Sequence, residues 1–274
     1  MPSVAVLVAV FVVVGAALMA LGPGPDHVGP QAGESVSAAS GSRSAADARS
    51  SPAARVQSKA APAARTQSTA APTRATRRPS LPPGLSSSDV AAGLLSQDVE
   101  DSASGHLVVV PGSSAGPRTG TVRRVRVEVE DGLPVDASRF AAFVMRTLND
   151  PRSWGADGTM SFDRTAGRAD LRVVLASPDT VDRLCAPLRT RGQVSCGRAG
   201  RATINFRRWV LATDEFTNRT TYRRYVVNHE VGHLLGHAHE RCQGAGRLAP
   251  VMQQQTYRVA PCAPNAWPYP SAGR

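Results

Sequence analysis

The sequence predicts an α+β domain built on a mixed β-sheet, and three of its segments carry that prediction. Val122 to Glu130 contains only valine and charged residues, and the two alternate from Val125 onwards, which is typical of a strand with one buried face. After Asp136, a good helix-capping residue, apolar side chains recur at helical spacing as far as about Asn149. The apolar run from Asp170 to Ala176 is typical of a central strand. Strands and helices combined in this way along one chain indicate the α+β class.

Further elements follow in the same part of the chain. A short strand is predicted around Ser161, and a short helix precedes the first two cysteines. Ala202 to Val210 alternates less cleanly, which favours an edge strand. A final helix begins at about Thr221, and we expect it to end at Gly236 because glycine readily adopts the left-handed conformation that terminates helices. The residues beyond this helix are expected to form a small irregular C-terminal subdomain.

The first 21 residues predict an export element. Val4 to Leu21 is an uncharged apolar run of 18 residues, about the minimum that spans the hydrocarbon core of a bilayer. Residues 1–21 are therefore a signal anchor or a cleaved signal peptide, and the poor cleavage site around Leu21 favours the anchor. Since no basic residue precedes the run, we expect the true start to lie upstream of Met1.

Residues 22–120 are rich in Ala, Ser, Pro, Gly and Arg, with almost no aromatic residue. Such a segment buries too little apolar surface to offset the entropy of ordering it, so it is predicted to be a disordered tether. The tether would hold the remaining domain, residues 121–274, away from the membrane.

The domain formed by residues 121–274 is basic. It contains 23 Arg and 14 Asp plus Glu, so its net charge of 23 − 14 = +9 accounts for most of the chain's +11. Basic domains bind nucleic acids or other anionic polymers. Because no nucleic-acid-binding motif accompanies the charge, we expect no specific nucleic-acid partner, and anionic cell-wall polymers are the alternative. The domain is expected to be a monomer.

All four cysteines lie inside the same domain. Behind an export element, an even number of cysteines predicts disulfides, for which three connectivities are possible. Proximity in the sequence favours the pairs Cys185–Cys196 and Cys242–Cys262. Zinc ligation by cysteine is disfavoured because the chain contains no CxxC pair.

Four of the six histidines lie within the eleven residues from His229 to His239. His229 and His233 are four residues apart on the predicted helix, so both imidazoles project from one face and can share a metal ion. Glu230 stands beside the first ligand, where a carboxylate can hold a metal-bound water without being a ligand itself. The alternative is an exposed loop that binds metals adventitiously, in which case the position of Glu230 would be a coincidence.

The turn at Gly236 is predicted to supply the third ligand. It returns the chain so that His239 reaches the metal held by the helix. Three neutral imidazoles leave one position of a tetrahedral Zn²⁺ open, which is the arrangement of catalytic zinc, and we expect one Zn²⁺ per chain. His237 is expected to face solvent; it is the alternative third ligand.

Residues His229 to His239 fit the pattern HExxHxxGxxH and so resemble the metzincin zinc endopeptidases. Pro250 to Gln253 resembles their methionine turn, which implies that Met252 lies beneath the zinc site. Glu240 follows the third histidine, where metzincins keep a residue that hydrogen-bonds near this turn, so the resemblance implies a structural role for it. The resemblance implies a metzincin-like zincin fold.

The chain also departs from that family. Several metzincins have a tyrosine two residues after the turn methionine, whereas this chain has Gln254 there and Tyr257 further on, so the role of that tyrosine is not carried over. The domain as a whole also resembles a family of exported actinobacterial proteins defined only as a domain of unknown function.

These features predict an extracytoplasmic zinc-dependent endopeptidase, either membrane-anchored or secreted. Glu230 would act as the general base that moves a proton from water to the leaving amine. An extended peptide or protein substrate would pair with the predicted edge strand. Two alternatives remain: a hydrolase of peptidoglycan cross-links that uses the same zinc chemistry, and a non-catalytic zinc-dependent binding module. The presence of Glu230 argues against the module.

Overall fold

A computed structural model of the chain describes residues 80–272. The predicted export element at residues 1–21, and the predicted tether as far as residue 79, lie outside the described residues. Every helix within residues 80–272 is too short or too polar to cross a lipid bilayer.

The described residues form five helices and six strands. The helices are α1 (Ser87–Ala91), α2 (Ala137–Leu148), α3 (Pro178–Cys185), α4 (Phe206–Leu211) and α5 (Arg219–Leu234). The strands are β1 (Leu107–Val109), β2 (Thr121–Glu130), β3 (Met160–Arg164), β4 (Leu171–Ala176), β5 (Cys196–Arg198) and β6 (Arg201–Asn205).

The six strands form one mixed sheet in the order β1-β2-β4-β6-β5, and β3 pairs with the first half of β2. Neighbours among β2, β4 and β6 are parallel, whereas β1 and β5 lie antiparallel at the two ends of this order. The sheet and its helices confirm the predicted α+β class. The strands predicted at Val122–Glu130, Ser161 and Asp170–Ala176 are confirmed as β2, β3 and β4.

The alternation along β2 places Val125, Val127 and Val129 in the core. Helix α2 is confirmed, and its first turn is capped by Asp136, whose side chain accepts a hydrogen bond from the backbone N–H of Arg139. The apolar face of α2 packs in the core together with α5, which contacts β5 and β6 and carries His229 and His233.

The prediction of an edge strand from Ala202 to Val210 is wrong in two respects. The strand β6 ends at Asn205 and lies inside the sheet, between β4 and β5. Asn205 then caps α4 by accepting the N–H of Arg207, and the helix turns Trp209 inwards, where two rings of α2 pack edge-on against it. The edge strand next to β6 is instead β5, which begins at the second cysteine and is too short for its alternation to be recognised.

The predicted boundary between tether and domain at residue 120 is also wrong. Residues well before 121 belong to the fold, because Leu85, Leu94 and Val110 are buried in the core and β1 extends the sheet. Helix α1 begins with a capping box in which Ser86 and Asp89 bond to each other's backbone N–H. Asp89 also pairs with the buried Arg223 of α5, so the segment before residue 121 is attached directly to the helix that carries the site.

Candidate metal centre

Helix α5 holds the site inside the domain. Its N-terminus is capped by Asn218, whose side chain accepts the N–H of Thr221. The middle of the helix is buried on almost all sides, so it cannot shift without disturbing the core. His229 and Glu230 are each only 5% exposed.

Three imidazoles converge at the C-terminal end of α5. The ligand atoms of His229, His233 and His239 all lie within 4.8 Å of one another. The Nε2 atoms of His233 and His239 are 3.1 Å apart. The structure therefore brings together the three predicted ligands in a group that could hold one metal ion.

Backbone carbonyls orient two of these rings. Nδ1 of His229 lies 2.9 Å from the carbonyl oxygen of Val251, and Nδ1 of His233 lies 3.0 Å from that of His237. Since a carbonyl oxygen only accepts, each Nδ1 carries the proton and donates it, which leaves the Nε2 lone pair free for a metal. The second ring nitrogen of a histidine ligand commonly makes such a bond.

The surroundings of His229, His233 and His239 favour their neutral forms. It lowers the pKa of His229 to about 3, although the hydrogen bond to Val251 opposes the shift. Burial also lowers the pKa values of His233 and His239 from their ordinary range. Neutral imidazoles are the form that binds metal ions, so the cluster does not have to lose protons before a metal binds at neutral pH.

The turn after α5 forms as predicted at Gly236, which has a φ of +95°. The N–H of Gly236 donates to the His233 carbonyl and that of His237 to the Gly232 carbonyl, which is the hydrogen-bond pattern of a Schellman motif. The chain reverses there and places His239 beside the helix. The ring of His237 stacks on Trp154 with 4.2 Å between centroids and takes no part in the ligand cluster.

Glu230 lines the cleft beside the histidines. Burial raises the pKa of its carboxyl group to about 8. Among residues 80–272 its side chain has neither an ion-pair partner nor a hydrogen-bond donor within bonding distance, so it is a buried carboxyl group available to other groups in the cleft.

A turn lies beneath the cluster at the predicted place. The N–H of Gln253 donates to the carbonyl of Pro250, and Met252 is fully buried. The sulfur of Met252 packs so closely on Gly232 of α5 that a Cβ atom there would lie 2.5 Å from it. Glu240 bonds to this turn through its backbone N–H, which donates to the Met252 carbonyl at 3.1 Å, whereas its side chain is exposed.

His229, His233, His239 and Glu230 line a cleft of about 360 Å³. One wall is formed by residues 188–190 and 194–197, and the other by Gln254, Thr256 and Tyr257. A larger cavity of about 790 Å³, lined partly by Arg146 and Arg224, contains none of the predicted site residues. The candidate site is therefore the smaller cleft.

Both predicted disulfides are confirmed. Cys185–Cys196 joins the end of α3 to β5 and closes the loop that forms the first wall. Cys242–Cys262 closes the segment that contains the methionine turn and the second wall. The two disulfides are consistent with an extracytoplasmic protein.

Sequence reasoning missed several parts of this site. Leu188, Arg189 and Thr190 of the first wall lie about forty residues before the motif, and no local signal connects them to it. The orienting carbonyls are backbone groups, which no residue type reveals. Gly197 was also missed: a Cβ atom there would lie 2.2 Å from the carbonyl oxygen of Glu230, so only glycine lets β5 approach α5 this closely.

The fold and the site together define a disulfide-bonded α+β domain with a three-histidine cluster that could hold a metal ion. The chain belongs to the family described as "Protein of unknown function (DUF3152)", which matches residues 95–270. No curated protein and no solved structure matches the chain significantly. The family match bears out the resemblance to a domain of unknown function, and the metzincin resemblance stays a prediction.

Proposed function

We propose that the chain is a zinc-dependent endopeptidase that acts outside the cytoplasm. The observation that carries this proposal is the convergence of three imidazoles beside a buried glutamate on the floor of a cleft. Each of these groups has a place in metal-assisted hydrolysis of a peptide bond, and together they favour an enzyme over a structural metal site.

The donor set fits Zn²⁺. His229, His233 and His239 would hold the ion, because neutral imidazole nitrogens suit zinc and three protein ligands are typical of a catalytic zinc site. A structural zinc site normally uses four protein ligands. When bound, Zn²⁺ would supply Lewis acidity, which polarises a carbonyl group and lowers the pKa of water.

Glu230 would act as the general base and acid. As the base it takes a proton from the attacking water, and as the acid it returns that proton to the leaving amine. Burial favours the protonated form, whereas a nearby divalent cation favours the carboxylate. These opposing effects would hold the pKa of Glu230 in a range where both proton transfers are accessible near neutral pH.

Strand β5 supports an extended peptide as the substrate. It pairs on one side with β6 and ends the sheet, and Cys196 and Gly197 of this strand line the cleft. An edge strand offers backbone N–H and C=O groups to which an extended peptide can add as a further strand. β5 therefore takes the role that the sequence assigned to Ala202–Val210.

The location of the activity is a further part of the proposal. Residues 4–21 would anchor the chain in the membrane or direct its secretion, and anionic cell-wall polymers would be partners of the basic domain.

Activity measurements on the full chain test the proposal. The wild type should contain close to one zinc per chain, and a chelator should abolish activity that added Zn²⁺ restores. Glu230→Ala should retain zinc and lose about 10²–10⁴-fold in kcat, which is the usual contribution of general acid–base catalysis. Glu100→Ala removes an exposed glutamate that does not line the cleft and should retain full activity.

The substrates should include a broad peptide library and cross-linked wall peptides, which separate an endopeptidase from a hydrolase of peptidoglycan cross-links. A zinc-loaded wild type that cleaves neither substrate would mean that the site is a binding module. Equal cleavage by Glu230→Ala and the wild type would contradict the role of Glu230. His233→Ala should lose the metal and serves to confirm the ligand assignment.

A further inference from the structure

The cleft contains one basic side chain besides the histidines. Arg189 lines its first wall, next to Leu188 and Thr190. Among the residues that line the cleft, one is acidic, and it is Glu230 on the floor. Arg189 is exposed, and within the described residues its guanidinium makes no ion pair and no hydrogen bond to the protein.

The loop that carries Arg189 is held in place from several sides. The Cys185–Cys196 disulfide closes it. Asp182 of α3 accepts a hydrogen bond from the hydroxyl of Thr190 and another from the N–H of Gly192 at 2.8 Å. A loop fixed in this way presents its guanidinium to the cleft without having to be ordered when a ligand binds.

Further along the loop, Arg208 of α4 donates to the backbone and side-chain oxygens of Gln193. Ser195 accepts the N–H of Asn205, so the loop is also joined to the end of β6. Both ends of the first wall are therefore attached to the sheet and its helices.

We propose that Arg189 is a specificity-determining residue that binds a carboxylate of the substrate, so that the cleft prefers peptides that present a carboxylate to it. A free guanidinium presents several N–H donors in a planar arrangement that matches a carboxylate. Leu188, which is 53% exposed, and Val194 border it and would contact the aliphatic part of a glutamate side chain. The inference rests on the proposed function, because it names the substrate class of the same cleft.

The carboxylate has two possible sources, an Asp or Glu side chain or the C-terminus of the peptide. Two matched peptide series separate them. In the first, the C-terminus is amidated and a single position carries Glu, Gln or Lys. In the second, no side chain is acidic and the C-terminus is free or amidated. Preference within the first series indicates a side-chain carboxylate, and preference within the second indicates a terminal one.

The variants are Arg189→Glu and, as the matched control, Arg191→Glu. Arg191 lies on the same loop, is exposed and does not line the cleft, so the control changes the net charge equally. We expect the wild type to prefer the Glu peptide over the Gln peptide by on the order of tenfold in kcat/KM, as a charge-assisted hydrogen bond supplies. Arg189→Glu should reverse the preference towards the Lys peptide, and Arg191→Glu should behave like the wild type.

Binding of the same peptides to the zinc-loaded Glu230→Ala chain, followed by fluorescence anisotropy, makes the test independent of turnover. Carboxylate-dependent binding that Arg189→Glu abolishes, without cleavage by the wild type, would support the role of Arg189 and contradict the peptidase proposal. The inference about Arg189 is overturned if selectivity among the peptides is absent, or if Arg189→Glu leaves it unchanged in both assays.

Discussion

A buried ion pair joins α5 to the segment before residue 121, and its loss is predicted to lower the stability of the domain strongly. Arg223 is fully buried; its Nη2 donates to Asp89 Oδ1 at 2.6 Å and its Nε donates to the carbonyl of Trp209 at 2.7 Å. Its Nη1 has no hydrogen-bond partner among the described residues. The buried positive charge of Arg223 is therefore compensated by Asp89, which is itself only 3% exposed.

Asp89→Ala should lower the free energy of unfolding by about 3–5 kcal/mol, because it leaves an uncompensated guanidinium in the core. Urea denaturation of the full chain measures the loss. Asp136→Ala is the matched control, since Asp136 also caps a helix but forms a largely exposed ion pair with Arg139. Removal of that cap should cost about 1 kcal/mol.

The double variant Asp89→Ala/Arg223→Met separates the effect of the charge from the loss of the α1 cap. It removes the buried guanidinium together with its partner, so it should recover a large part of the stability lost in Asp89→Ala. If Asp89→Ala costs no more than Asp136→Ala, or if the second substitution recovers nothing, the ion pair does not stabilise the attachment of α1 to α5.

Two other predictions concern β5 and the response to acid. Gly197→Ala would place a methyl group 2.2 Å from the Glu230 carbonyl oxygen and push β5 away from α5. The affinity for zinc, measured by chelator competition, should therefore fall. Gly167→Ala is the control and should leave the affinity unchanged, because a Cβ atom there makes only an ordinary contact. Burial alone would raise the pKa of Glu130. Its carboxylate, however, accepts hydrogen bonds from Gly105, Ser177 and Thr180, and these lower the pKa below the ordinary value of 4.5. The stability that Glu130 contributes is therefore fully present above about pH 4.5 and lost as the pH falls through the lower folded-state pKa. In Glu130→Gln, the free energy of unfolding measured by urea denaturation should depend less on pH in this range.

The three histidines that could hold a metal ion were predicted from the sequence because their geometry is local. The helical period fixes His229 and His233 on one face, and the glycine turn determines where His239 returns. The groups that orient the rings could not be predicted, because the carbonyl of Val251 comes from a turn 22 residues away and that of His237 depends on the hydrogen bonds of the turn. Arg189 was missed for a similar reason, since only the folded loop brings it to the cleft.

The elements in which apolar residues keep one spacing along the sequence were predicted, and the segment in which this spacing changes was not. α2 keeps one period throughout its length, and β2 keeps one from Val125 onwards. The segment from Ala202 to Val210 changes from strand to helix at Asn205, so a single pattern applied to all of it gave a strand. α1 was missed because the ion pair that attaches it to α5, between Asp89 and Arg223, spans 134 residues and the local composition resembles that of the tether.

The way the candidate site is built implies that the fold does not depend on a bound metal ion. The ligand rings of His229 and His233 already bond to backbone carbonyls, and the helix that carries them lies in a core formed by the sheet and α2. In small zinc domains without such a core, metal binding supplies the free energy of folding. Here the core and the two disulfides supply stability that does not require an ion. His233→Ala should therefore stay folded even though it does not bind the metal. A loss of activity in that variant can then be assigned to the metal site and not to unfolding.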